Sequence, residues 1–160
     1  MIWRAGTKED VIWANEISSK LHQEHPEDDA IFEERFQIFP SGFLILEDQN
    51  ILLGYAVSHP WKEKSYPALN TLVKSIPTES NVLYIHDVGI IPNGRNPQTL
   101  PKLFIALEKI AKIHKLSAFE GISLAATTRL WRRYGFRDLK IKEVEKSYGL
   151  GAQWIRREII

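Results

Sequence analysis

The chain has 160 residues with 21 basic against 20 acidic side chains, no cysteine, and 44% hydrophobic residues, which suits a single domain over residues 1–160 with one sizeable core. Without cysteine there is no disulfide framework, no thiolate zinc site, no iron–sulfur cluster and no cysteine nucleophile. The near-balanced charge lacks the basic excess that a phosphate backbone demands, so no nucleic-acid partner is expected, and no uncharged apolar run of about eighteen residues offers a membrane span.

Met1-Ile2-Trp3-Arg4 lacks the apolar stretch of a signal peptide, so a cytoplasmic location is expected. Residues 2–4 predict a short strand. Thr7 and Asp10 stand at capping-box spacing, and Val11, Ala14, Ile17, Ser18 and Leu21 form one helical stripe that ends near His25-Pro26. A second helix is predicted over 28–39, with Ile31, Phe32, Arg35, Phe36 and Phe39 at similar spacing and Asp28 and Asp29 at its positive end. Two apolar runs, 43–47 and 51–58, flank Asp48-Gln49-Asn50 and read as an antiparallel hairpin.

Residues 60–81 carry three prolines, and only Leu69, Leu72, Val73 and Ile76 hint at helical turns; an ordered excursion over a substrate site is expected. Residues 82–91 are almost continuously apolar, as in a central strand buried on both faces, and are interrupted only by His86 and Asp87. After Pro92-Asn93-Gly94 comes Arg95-Asn96-Pro97-Gln98-Thr99, then a helix with Leu100, Leu103, Phe104, Leu107, Ile110 and Ala111 on one face. Residues 118–124 predict a strand, and 125–134 a short helix stopped by Gly135. Two closing strands, 136–148 and 153–159, are predicted around Gly149 and Gly151, and the whole is a mixed α/β chain.

This element order resembles that of the GCN5-related N-acetyltransferase (GNAT) superfamily. The resemblance is carried by Val88-Gly89-Ile90-Ile91-Pro92 with Arg95, which looks like the strand and turn before the family's acyl-CoA loop, and by Leu130-Trp131-Arg132-Arg133-Tyr134-Gly135-Phe136, which looks like its late aromatic helix. Further stretches, 54–61, 69–71, 83–88 and 148–152, are similar to one branch of the superfamily. The resemblance implies an α/β fold with a mixed, mostly antiparallel central sheet flanked by helices. It also implies acetyl transfer from acetyl-CoA directly to a primary amine on a small molecule or peptide, with no metal.

By the same resemblance, the cosubstrate would be held by Val88, Gly89, Ile90, Arg95, Asn96, Gln98, Thr99, Leu100 and Trp131. The family's loop carries glycines where this chain has Asn96, Gln98 and Leu100; asparagine tolerates left-handed backbone, glutamine and leucine do not, and weakened acyl-CoA binding is expected. Pro97 and Pro101 supply no N–H. His86 stands where several members carry a catalytic glutamate. It is read either as the general base or as a buried histidine bonded to Asp87 or backbone, and strand alternation puts the two on opposite faces unless a bulge intervenes. Asp87 is expected to be structural.

Trp131 stands where many members have an acidic tyrosine, and an indole N–H donates a hydrogen bond without acting as an acid. Tyr134 is expected to pack in the core. Arg95, Lys102, Arg129, Arg132 and Arg133 form a local basic set, of which Arg95 is expected nearest phosphate. Trp61 either lines an acceptor pocket or packs under the following loop, and His22 and His25 are not read as a metal site. A catalytically degenerate GNAT-fold binding or scaffold protein stands as the alternative function, and a homodimer through the final strands is an open possibility.

Overall fold

The computed structural model describes residues 1–160. Strand β1 (Ile2–Ala5) leads into helix α1 (Lys8–Leu21), whose start is the expected capping box: the Asp10 N–H donates to Thr7 Oγ1 and the Thr7 N–H to Asp10 Oδ2. Helix α2 (Asp29–Ile38) follows, then β2 (Phe43–Asp48) and β3 (Ile51–Trp61). Gln49 and Asn50 both take positive φ, so the hairpin closes on two residues whose twist suits the flanking strands. Beyond Val57, β3 runs past the end of β2 and pairs only with β4 (Val82–Ile90); this leaves one edge free where Pro60 has no N–H to give.

Helix α3 (Thr99–Ile113), β5 (Ala118–Ser123), α4 (Thr128–Arg133), β6 (Arg137–Asp138) and β7 (Gln153–Glu158) complete the chain. The seven strands lie in the order β1-β2-β3-β4-β5-β7-β6, antiparallel throughout except for the parallel β4–β5 pair. One face is covered by α3, which buries Leu103, Phe104, Leu107 and Ala111 against Leu44, Ala56, Leu83, Ile85 and Phe119. The other is covered by α1 and α2, through Val11, Ala14, Ile31 and Phe32 against Phe43, Ile45, Tyr55 and Val57. A third cluster, Tyr66, Tyr84, Tyr148 and Trp154, extends that second face beside β5 and β7. No helix is long and apolar enough to cross a membrane.

Three expectations are corrected. The predicted strand 136–148 survives only as two residues, because Leu139 and Val144 are drawn against the Tyr66–Trp154 cluster and Lys142 lies 4.8 Å above the Tyr66 ring, positions that strict alternation along a sheet cannot satisfy together. Residues 62–81 contain no helical turn. Instead they are ordered by α2 and its approach: the Val73 and Lys74 N–H groups donate to the Glu34 carboxylate, and the Asn70 N–H to Glu27. Helix α4 is shorter than predicted but ends as expected, with Gly135 at φ +87° and paired Gly135 and Phe136 N–H bonds back to Arg132 and Trp131.

Candidate functional site

The polar pair in β4 is placed by a bulge. Val57 faces Asp87 and Ser58 faces Ile85, so His86 is the extra residue, and both side chains reach the face covered by α1 and α2. Immediately afterwards the sheet opens. The β4–β5 ladder stops at Ile85 and Gly121, where a Cβ on Gly121 would lie 2.9 Å from the Ile85 carbonyl oxygen; beyond that point β4 continues to Ile90 with its β5-facing edge unpaired. The gap widens into a cleft of about 710 Å³.

His86 sits at the inner end of the cleft with its side chain 2% exposed, and its Nε2 is 2.8 Å from Glu27 Oε1. The Phe32 ring meets the imidazole edge-on at 6.2 Å between centroids. Glu27 belongs to the connection between α1 and α2, and its second oxygen accepts the Asn70 N–H at 2.8 Å. Burial opposes the Glu27 charge, yet His86 and the Asn70 N–H outweigh it and hold the carboxyl below its ordinary range.

Asp87 has a different set of partners. Its Oδ1 lies 3.1 Å from His22 Nε2, while Oδ2 accepts hydrogen bonds from the Tyr55 hydroxyl at 2.9 Å and Ser18 Oγ at 3.3 Å. Burial again opposes ionisation, and His22 and Tyr55 overcome it, keeping Asp87 below the usual carboxylate range. Reciprocally, Asp87 raises the His22 imidazole, and burial followed by Asp87 pushes the Tyr55 phenol well up. Asp87 is thus paired, as its place in an apolar strand requires, with Ser18 of α1, with His22 just past the end of that helix and with Tyr55 of β3.

Val88, Gly89, Ile90, Arg95, Asn96, Thr99, Leu100 and Trp131 all line the cleft, and Gln98 does not. In the loop, Asn96 Oδ1 accepts the Gln98 N–H at 2.8 Å and the Asn96 carbonyl accepts the Thr99 N–H at 3.2 Å, so the turn satisfies its own donors and Gln98 is left exposed outside the cleft. No residue from 95 to 100 has positive φ, so the anticipated left-handed strain at Gln98 and Leu100 is absent. With Pro97 and Pro101 unable to donate, the N–H groups of Asn96 and Leu100 are the ones left without a partner. Arg95 folds back, its Nε donating to the Ile90 carbonyl at 2.9 Å, and so sits at the α3 end of the cleft.

Trp131 forms part of the opposite wall, packed on Phe104 and Phe136 at 6.1 and 5.2 Å between centroids. Tyr134 packs on Phe104 at 5.3 Å as expected and also reaches the cleft. Of the rest of the basic set, Arg129 and Arg133 are exposed, Arg132 pairs with Asp138, and Lys102 Nζ donates to the Met1 carbonyl. Trp61 packs against His59 and the aromatic cluster and lies outside the cleft.

Sequence reasoning missed Glu27 and His22. Their signal was the density of titratable groups, His22, His25 and Glu27, in a connection between two helices, where function is often carried.

No protein-family model matches the chain, and no curated protein matches it in sequence. Solved structures do match in shape. Ard1 from Thermoplasma volcanium is 12% identical with a TM-score of 0.74, covering 99% of this chain and 97% of that one. The loading GNATL domain of CurA from Lyngbya majuscula is 13% identical with a TM-score of 0.77, covering 98% and 96%. Rv2747 from Mycobacterium tuberculosis, a structure in complex with CoA, is 12% identical with a TM-score of 0.72, covering 100% of both chains. At these identities the likeness speaks for architecture, and the sheet that splits between its two parallel strands, with the element order around it, is that of the GCN5-related N-acetyltransferases: the chain has the GNAT fold.

Proposed function

We propose that the protein is an N-acyltransferase that moves an acetyl group from acetyl-CoA directly to a primary amine. The observation that carries this reading is the junction of the β4 bulge with the β4–β5 gap, where an imidazole–carboxylate pair stands beside a strand edge with unpaired N–H and C=O groups.

Acetyl-CoA supplies the acyl group already activated as a thioester. The free edge of β4 from Val88 to Ile90, apart from the Ile90 carbonyl that Arg95 occupies, offers amide partners to the pantetheine arm as a further strand would. At the start of α3 the Asn96 and Leu100 N–H groups, with Arg95 beside them, suit a pyrophosphate, since a helix N-terminus favours negative charge. Trp131 closes the opposite side of the channel.

His86 takes a proton from the acceptor ammonium so that the nitrogen lone pair can attack, and Glu27, 2.8 Å from Nε2, orients the imidazole. A β4 N–H donates to the acyl oxygen as negative charge develops there. The N–C bond forms, the C–S bond breaks and the sulfur leaves as a thiolate, which a thiol pKa of about 8.5 allows without a strong acid at Trp131; the proton still on the new amide nitrogen passes to that thiolate. With no cysteine to hold an acyl group, transfer proceeds within a ternary complex and the kinetics are sequential.

A second reading, a GNAT-fold binding protein without acyl transfer, is favoured by one observation: Asn96 consumes two of the loop N–H groups that a pyrophosphate would use. Titration calorimetry with acetyl-CoA separates the two. Binding with a Kd of about 1–100 µM is expected, and no heat at millimolar ligand would remove the first reading and leave the second.

A further inference from the structure

No arginine or lysine lines the acceptor half of the cleft, and the one imidazole there without a carboxylate partner, His25, stands at the rim with its Nδ1 3.1 Å from the Ser147 carbonyl. Arg95 is the sole arginine or lysine lining the cleft, and it lies at the α3 end, turned onto the Ile90 carbonyl. The basic side chains nearest the bulge, His22 and His86, each already face a carboxylate, Asp87 at 3.1 Å and Glu27 at 2.8 Å. An incoming carboxylate would therefore meet two like charges and lose its hydration without compensation, whereas an ammonium is drawn in by the same pair. Between these groups the wall is apolar, formed by Leu21, Leu69, Ile122 and Leu124.

The rim of this half is laced together by three segments. His25 Nδ1 lies 3.1 Å from the Ser147 carbonyl, the Asp28 N–H donates to Asn70 Oδ1 at 2.7 Å, and the Tyr148 hydroxyl donates to the Pro67 carbonyl at 3.0 Å. These ties narrow the space through which a polypeptide acceptor would have to pass. Building on the acyl-transfer reading, we propose that the acceptor is a small primary amine with an apolar body and no carboxylate beside the reacting nitrogen.

The test uses matched pairs: 2-phenylethylamine against phenylalanine, isopentylamine against leucine, and a short peptide amide with a free N-terminal phenylalanine. Thiol release from acetyl-CoA is expected to give each amine a kcat/KM about 100-fold above its amino acid, with the peptide also below the amine. Equal or better use of the amino acid or the peptide overturns the proposal, as does acetyl-CoA binding without turnover of either amine. Failure to bind acetyl-CoA would instead count against acyl transfer itself. In that case calorimetry of the unliganded protein with the same pairs decides the acceptor class: tighter amine binding upholds it, and equal or tighter amino-acid binding overturns it.

Discussion

His86 and Asp87 are adjacent in sequence and serve different partners because one extra residue in β4 turns both toward the same helices. If His86 is the base, His86→Ala lowers kcat by about 100- to 10,000-fold, while acetyl-CoA affinity measured by calorimetry stays unchanged. Gly89 supports the neighbouring set from behind. A Cβ there would sit 2.6 Å from the Tyr55 hydroxyl oxygen, so Gly89→Ala must push Tyr55 off Asp87 and crowd the core under α1 and α2. A loss of about 1–3 kcal/mol is expected from such overpacking, read as a lower denaturant midpoint at unchanged m-value.

At the scale of elements, the informative piece is the loop between β4 and α3. Asn96 acts as an internal substitute for an anion by satisfying the Gln98 N–H with its own side chain. Asn96→Ala releases that donor and is expected to tighten acetyl-CoA binding by up to about tenfold, the worth of one charge-assisted hydrogen bond; unchanged affinity would mean that the Gln98 N–H does not face the ligand. The elements themselves were largely legible in the sequence where periodicity and caps agree, as in the Thr7–Asp10 box, the α3 stripe and Gly135. Residues 139–148 were not, because aromatic side chains from distant segments fix them and local pattern carries no trace of that. The same holds for the site. His86 and the β4 edge follow from residue order, whereas the contacts of Glu27 and His22 exist only once α1 and the connection after it are folded against β4.

For the whole molecule, the titration of buried histidines shapes stability. His59 is fully buried between Trp61 and Tyr84; burial, with smaller contributions from His86 and Arg35, outweighs its contact with the Pro60 carbonyl and depresses its pKa from 6.5 to about 3. The unfolded chain therefore takes up a proton at His59 below about pH 6.5 that the folded chain refuses until about pH 3, and stability falls as the pH drops through that interval. At pH 4.5 the penalty is about 2–3 kcal/mol. His22 has the opposite sign, because its raised pKa gives stability present below 6.5 and lost as pH rises through its folded value. Denaturant unfolding of His59→Phe between pH 4 and 7 isolates the first effect, with a flatter pH profile than the parent chain expected.

The single carboxylate of Glu27 holds the His86 imidazole with one oxygen and the Asn70 backbone with the other. Thermodynamic reciprocity then joins two contacts that are usually separate: whatever steadies the carboxylate from the Asn70 side also steadies it toward His86. The segment beside the cleft and the orientation of the imidazole are thus fixed by one side chain, so a probe placed at residue 70 also reports on the carboxylate that holds His86.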